Sequence, residues 1–209
     1  RETHDIMTGT DLPLAGVRVV EFCHVIMGPT CGMILGDLGA DVIKVEPAPN
    51  GDNTRRMIGT GSGFFATYNR NKRSLALDMK TPEGMEIAKK LIASADVLTE
   101  NFRPGAMNGL GLGFEDVKSL NQRLIYCSLK GFLSGPYEQR SALDEVVQMM
   151  AGLAYMTGPA GRPLRAGASV NDMMGGMFAA IGILAALRER DRTGKGQLVQ
   201  SALYENCVF

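Results

Sequence analysis

Short apolar, β-branched runs alternate along this chain with stretches of helical character, and that alternation restricts it to an α/β fold built on a parallel sheet. After a polar leader over residues 1–11, Val17-Arg18-Val19-Val20-Glu21-Phe22 predicts the first strand. Gly28 and Pro29 open a helix running to Leu38, with small residues at Cys31, Gly32 and Gly36. Asp41-Val42-Ile43-Lys44-Val45-Glu46 predicts the second strand. Together these form a β-α-β unit of about thirty residues, the size a right-handed crossover requires.

Residues 47–63 are rich in Gly, Pro and polar side chains and read as a loop. Ser74 to Leu77 predicts a short strand. Thr81 followed by Pro82 supplies an N-cap and a first helical position for a helix to about Ala93. Asp96–Glu100 and Leu124–Leu129 predict two more strands. Met173 to Arg190 predicts a long helix so rich in Gly, Ala and Met that close helix packing is favoured over solvent exposure. Thr193 to Gln197 reads as a turn, and Leu198-Val199-Gln200 as the start of a strand. No fixed-period repeat or low-complexity tract interrupts the pattern.

Charge and cysteine content narrow the partners. Twenty-two basic residues balance 22 acidic ones, so nothing global argues for a nucleic acid or a membrane surface. Cys23, Cys31, Cys127 and Cys207 include no C-x-x-C pair, and His4 and His24 are the only imidazoles. A metal site and a disulfide framework are therefore not expected, and reduced, mostly buried thiols are. No apolar run approaches the roughly 20 residues of a membrane span, and the leader lacks a signal-peptide core. The expected location is the cytoplasm. The chain stops within an apolar segment, Cys207-Val208-Phe209, which implies a covering partner or a fragment.

Neither G-x-G-x-x-G nor a P-loop is present. His24 follows the first strand, at the edge where α/β proteins bind ligands. The run Arg70-Asn71-Lys72-Arg73, with Lys80 beyond it, reads as a solvated surface or as a phosphate-binding cluster. In Glu100-Asn101-Phe102-Arg103-Pro104-Gly105, Phe102 can stack on a purine and Asn101 can read its polar edge. Asp172 reads as a helix N-cap, or as a nucleophilic carboxylate that a helix dipole keeps ionised; the two roles are compatible.

Taken in order, LAGVRVVEF, GPTCGMILGDLGADVIKVEP, GDNTRR, NRNKRSLALDMKTPEG, ADVLTENFRPGAMNGLGLG and ASVNDMMGGMFAAIGILAALRERDRTGKGQLVQSAL resemble the class III CoA-transferases. The likeness runs from residue 12 to the end and implies a Rossmann-like, CoA-binding large domain over residues 12–190. Residues 191–209 would begin a connection to an absent second half, and the complete protein would be an interlocked homodimer. The resemblance places the catalytic aspartate at Asp172, attacking an acyl-CoA thioester on the way to a small carboxylic acid acceptor. It places CoA contacts at His24, Val25, Leu77, Lys80, Asn101, Phe102 and Ala106, and a further acidic group at Asp144. Pro47 and Gly109 stand where an arginine can bind the nucleotide phosphates; Arg103 or Arg73 would compensate. Ile26 replaces a polar residue of the formyl-CoA enzymes. Related racemases carry a histidine where this chain has Leu143, which favours a transferase. A racemase-like enzyme and a non-catalytic CoA-binding subunit remain the alternatives.

Overall fold

The computed structural model of the chain describes residues 12–209; the polar leader of residues 1–11 lies outside them. Strands β1 (Arg18–Phe22), β2 (Asp41–Pro47), β3 (Lys72–Leu77), β4 (Val97–Glu100), β5 (Ile125–Lys130) and β6 (Leu198–Ala202) form one sheet. Every neighbouring pair is parallel, in the order β3-β2-β1-β4-β5-β6. This is the strand order of the Rossmann fold, with its switch point between β1 and β4.

Helix α1 (Met27–Asp37) returns the chain from β1 to β2. Between β2 and β3 the expected loop holds two 3₁₀ turns, Asn53–Arg56 and Gly59–Gly61, and is followed by the short helix α2 (Phe64–Tyr68). Helix α3 (Pro82–Ala93) begins at its Thr81 cap, whose hydroxyl accepts from the Gly84 N–H. Short helices α4 (Ala106–Gly109) and α5 (Phe114–Lys118) precede β5. Helices α6 (Asp144–Met150), α7 (Leu153–Thr157) and α8 (Val170–Thr193) lie between β5 and β6, and α9 (Leu203–Val208) follows. The sheet therefore continues past residue 190, since β6 pairs with β5 through Tyr126↔Leu198 to Lys130↔Ala202.

Because helices cover both faces, the inner strands carry buried apolar residues on both sides. Val19, Cys23, Val97, Ile125, Cys127 and Leu129 pack under α1 and α8, while Val20, Phe22, Val45, Leu98 and Tyr126 pack under α3 to α5. Glycines let the α1–α8 layer close down. A Cβ on Gly32 would stand 1.8 Å from Glu21 Oε2, and one on Gly176 would stand 2.6 Å from both the Met27 carbonyl oxygen and Thr30 Cβ.

Helix α8 begins earlier than its sequence suggests, at Val170, and runs to Thr193, where Gly194 at φ +72° ends it with a bond from its N–H to the Arg190 carbonyl. By length and composition alone it is long and apolar enough to cross a membrane, as buried core helices also can be. Here it is a core helix: Ala179, Ala180, Ile183, Ala186 and Leu187 are buried against the sheet and α1.

Replacing Gly176 with Ala should cost about 1–3 kcal/mol, because the added methyl meets the Met27 carbonyl oxygen and the Thr30 Cβ, neither of which is the far end of a flexible side chain. Gly109→Ala, where a Cβ meets nothing within 4 Å, should not lower stability. Urea denaturation of both variants against the wild type checks the pair.

Candidate active site

The ends of β1 and β4 are stitched together at the switch point. The His24 N–H donates to Asn101 Oδ1 (3.0 Å), and Asn101 Nδ2 donates back to the His24 carbonyl (2.9 Å). The next residue, Val25, has φ +62°, a conformation rare for a β-branched side chain. Its N–H donates to Thr54 Oγ1 at 3.0 Å. Thr54 is held in turn by Asp52, whose Oδ1 accepts from the Thr54 N–H (2.8 Å) and hydroxyl (2.7 Å).

Below this turn lies a buried ion cluster. Lys44 Nζ stands 3.3 Å from Glu21 and 3.1 Å from Asp52, and also donates to the Cys23 carbonyl. Lys72 Nζ reaches Glu21 at 2.9 Å and the Pro29 carbonyl at 2.9 Å. Burial opposes the Lys44 ammonium, but Glu21 and Asp52 outweigh it and raise its pKa. Beside the cluster, Glu46 accepts from Arg55 twice at 2.7 Å, from the Asp52 N–H at 2.8 Å and from Ser74 at 2.7 Å. Burial pushes the Glu46 carboxyl up, yet these donors draw it down to about 2. Arg55 also lies 3.7 Å over the Phe65 ring.

Two cavities open at this edge of the sheet. One, of about 490 Å³, is walled by apolar groups that include Phe22, Val45, Leu77 and Met79, with Lys80 at its margin. The other, of about 520 Å³, holds Asn101, Arg103, Lys130, Arg140, Asp144 and Asp172. His24, Val25 and Phe102 line both. The His24 and Phe102 rings stack there, with centroids 5.8 Å apart and planes 28° apart. Burial lowers the His24 pKa, with Asp52 opposing and Lys44 assisting, so the imidazole is neutral at physiological pH.

Asp172 sits in the first turn of α8, not at its cap; the N-cap is Ser169, whose side chain makes no capping bond. Asp144, at the start of α6, supplies the cap from outside. Its Oδ2 accepts from the Asn171 N–H (2.7 Å) and the Asp172 N–H (3.1 Å). Gln148 steadies Asp144 through its amide nitrogen and accepts from the Ala166 N–H at 2.7 Å. This arrangement reverses the electrostatic expectation. Burial, reinforced by Asp144 and only partly offset by Arg165, pushes the Asp172 carboxyl up to about 7. The first-turn N–H groups of Asn171 and Asp172 are also committed to Asp144, so they are not spare donors for an oxyanion.

Of the residues singled out by sequence, His24, Val25, Leu77, Lys80, Asn101, Phe102, Arg103, Asp144 and Asp172 all line one cavity or both. Ala106 lines neither and is exposed on α4. Pro47 borders the first cavity, and the buried Ile26 borders the second. Arg73 is misplaced as a phosphate ligand: it lies at the opposite, N-terminal edge of the sheet, paired with Asp41 at 2.6 Å. Its neighbours are also committed, Arg70 to Asp37 and Lys72 to Glu21. Sequence reasoning missed Asp52 and Thr54, although an Asp two residues before a Thr after Gly51 is a side-chain-capped turn signal.

The strand order defines a Rossmann-type domain, with a crevice at its switch point that ends on two carboxylates. Comparison with known proteins makes this specific. The family model described as CoA-transferase family III matches residues 14–209, and the chain belongs to that family. It is 43% identical over 206 residues (95% of the chain, 51% of the relative) to a succinyl-CoA–L-malate CoA-transferase beta subunit of Chloroflexus aurantiacus. It is 44% identical over 200 residues (93% and 47%) to a formyl-CoA:oxalate CoA-transferase of Rhodopseudomonas palustris. A CaiB/BaiF family protein from Brucella suis superposes with a TM-score of 0.88 at 42% identity, over 94% of this chain and 55% of that one. The chain spans about half the length of the curated relatives it matches.

Below pH 3.8 Asp172 is protonated whether folded or unfolded; between 3.8 and about 7 it ionises in the unfolded chain alone. Native stability is therefore lowered across that window and stays lowered above it. Asp172→Asn should raise stability at pH 8, by on the order of 2 kcal/mol, and leave it unchanged at pH 3.5. In an NMR titration the Asp172 carboxyl should inflect near pH 7, and lower in Asp144→Asn. An inflection that does not move in that variant would refute the coupling.

Proposed function

We propose that the protein carrying this chain is a CoA-transferase that moves CoA from an acyl-CoA thioester to a free carboxylic acid, with Asp172 as the nucleophile. The observation that carries this reading is the shared wall of the two cavities. A ligand seated against the apolar groups of the first can pass His24, Val25 and Phe102 and reach Asp172 in the second. That suits a substrate with a purine base at one end and a reactive thioester at the other.

In the proposed reaction an Asp172 oxygen attacks the thioester carbonyl, the C–S bond breaks, and a mixed anhydride and CoA thiolate result. The thiolate attacks the aspartyl carbonyl of the anhydride, giving an aspartyl-CoA thioester and releasing the donor carboxylate. The acceptor carboxylate then attacks that thioester, expelling the thiolate and forming a second anhydride. Attack of the thiolate on the acceptor carbonyl yields the new acyl-CoA and frees Asp172. A carboxyl raised to about 7 is more basic than an ordinary aspartate and still about half ionised at neutral pH, a balance that favours nucleophilic attack. Arg103 and Arg140 on the same cavity wall supply positive charge to draw in a carboxylate substrate, while Lys130 beside them is paired with Glu138 at 3.0 Å.

The protein is further proposed to work as a homodimer in the cytoplasm. Leu143, Met149, Tyr155, Met156 and Leu164 expose apolar surface on and beside α6 and α7, a surface suited to burial by a second chain.

With the protein as its gene encodes it, incubation with acyl-CoA followed by hydroxylamine should leave a mass-tagged Asp172. Asp172→Ala should lose both the tag and the exchange of CoA between acids, by at least about a thousandfold. Exchange that survives in Asp172→Ala would overturn the covalent route. Deuterium wash-in at the acyl α-carbon without CoA exchange would indicate a racemase instead.

A further inference from the structure

The wall shared by the two cavities is built on a main-chain conformation that its own residue disfavours. Val25 lines both cavities at φ +62°, in the left-handed region where a β-branched side chain is rare. Two side chains hold the turn, Asn101 gripping His24 on one flank and Thr54 accepting from the Val25 N–H on the other. The Thr54 hydroxyl has a single proton, and it is given to Asp52 Oδ1 at 2.7 Å. That commitment leaves the lone pairs of Thr54 Oγ1 facing the Val25 N–H. Asp52 is itself fixed by Lys44 at 3.1 Å, and Lys44 also donates to the carbonyl of Cys23, two residues before Val25. Asp52 and Thr54, 4% and 2% exposed, stand in the wall of the first cavity, whereas Lys44, at 1%, lines neither.

We infer that Thr54 and Asp52, backed by Lys44, are positioning residues for acyl-CoA. They hold Val25 in its left-handed conformation, so that residues 23–25 keep the shape the ligand needs to run from one cavity into the other. The identity of the ligand rests on the CoA-transferase reading; the hydrogen-bond chain does not. The role differs from direct contact in one decisive respect. Glycine adopts a positive φ without strain, so the need for Thr54 should shrink when Val25 is replaced by Gly.

The experiment uses Thr54→Val, Thr54→Ser, Val25→Gly and the Thr54→Val/Val25→Gly double variant of the protein as its gene encodes it. For each, CoA binding, KM, kcat, melting temperature and Val25 amide exchange are measured. Thr54→Val should speed Val25 amide exchange and raise KM for acyl-CoA about tenfold, with a much smaller change in kcat. Thr54→Ser, which keeps the hydroxyl, should restore both. In the Val25→Gly background the same Thr54→Val change should cost less than about threefold. An undiminished tenfold cost in that background would show Thr54 touching the ligand directly and overturn the inference. Unaltered Val25 exchange in Thr54→Val, with CoA binding intact in the wild type, would overturn it as well. Failure of the wild type to bind CoA would overturn the transferase reading instead, and the ligand named here with it.

Discussion

Glu21 is fully buried beneath α1 and divides its carboxylate between Lys44 and Lys72. Burying an isolated carboxylate costs several kcal/mol, so the fold can hold Glu21 there only if it also buries those cations. Doing so fixes much else. Lys44 comes from β2 and Lys72 from β3, so the cluster ties three adjacent strands together on their α1 side. Asp52 joins as the second anion, and two buried carboxylates then face two ammonium groups. Gly32 lies directly above, where any side chain would collide with Glu21. Removing one partner would strand a buried charge, typically at a cost of about 3–5 kcal/mol. The cluster is an expensive substitute for apolar packing, but apolar residues could not reach up to orient a turn at the edge of the sheet.

The second constraint acts on Asp172 from the other side of the crevice. Gly175 and Gly176 bring α8 against Met27 and Thr30, which seats the first turn of α8 beside the start of α1. The cap that closes that turn comes from Asp144 on α6 and not from a residue of the turn itself. Burial raises the Asp172 carboxyl, and the neighbouring carboxylate that serves as the cap raises it further. The helix terminus is thus satisfied at the expense of the ionised state of Asp172.

The framework of the fold is legible in the sequence for a simple reason: strands buried on both faces appear as short apolar runs, and α3 carries its own start signal in Thr81 and Pro82. The ends of β1 and β4 follow from those runs, so His24, Asn101 and Phe102 can be placed at the ligand-facing edge before any coordinates exist. What stays hidden are features made by distant pairs. The cap of α8 lies 28 residues upstream of Asp172, so the helix start and the raised carboxyl cannot be read locally. The basic run at residues 70–73 misleads by its charge alone. It stands at the start of its strand, which in a parallel sheet puts Arg73 at the edge away from the ligand side, paired with Asp41. Asp52 and Thr54 look like ordinary loop residues until Lys44 and Val25 are brought against them.

These two constraints meet at His24, Val25 and Phe102. On one side the ion cluster fixes the turn through Lys44, Asp52 and Thr54; on the other, β4 fixes it through Asn101. The groups between the cavities are uncharged: a valine, a phenylalanine and an imidazole kept neutral by burial. A charged residue there would interact with Asp172 on one side or with the ion cluster on the other. A neutral partition lets the two electrostatic systems be set independently, with Asp172 raised to about 7 and Glu46 drawn down to about 2 within one crevice. An extended ligand crossing that partition meets apolar and aromatic surface in the middle and charge only towards its ends. In the proposed reading such a crevice would hold the ligand along its length and leave the ionisation of Asp172 to its own surroundings: burial first, then Asp144 and Arg165.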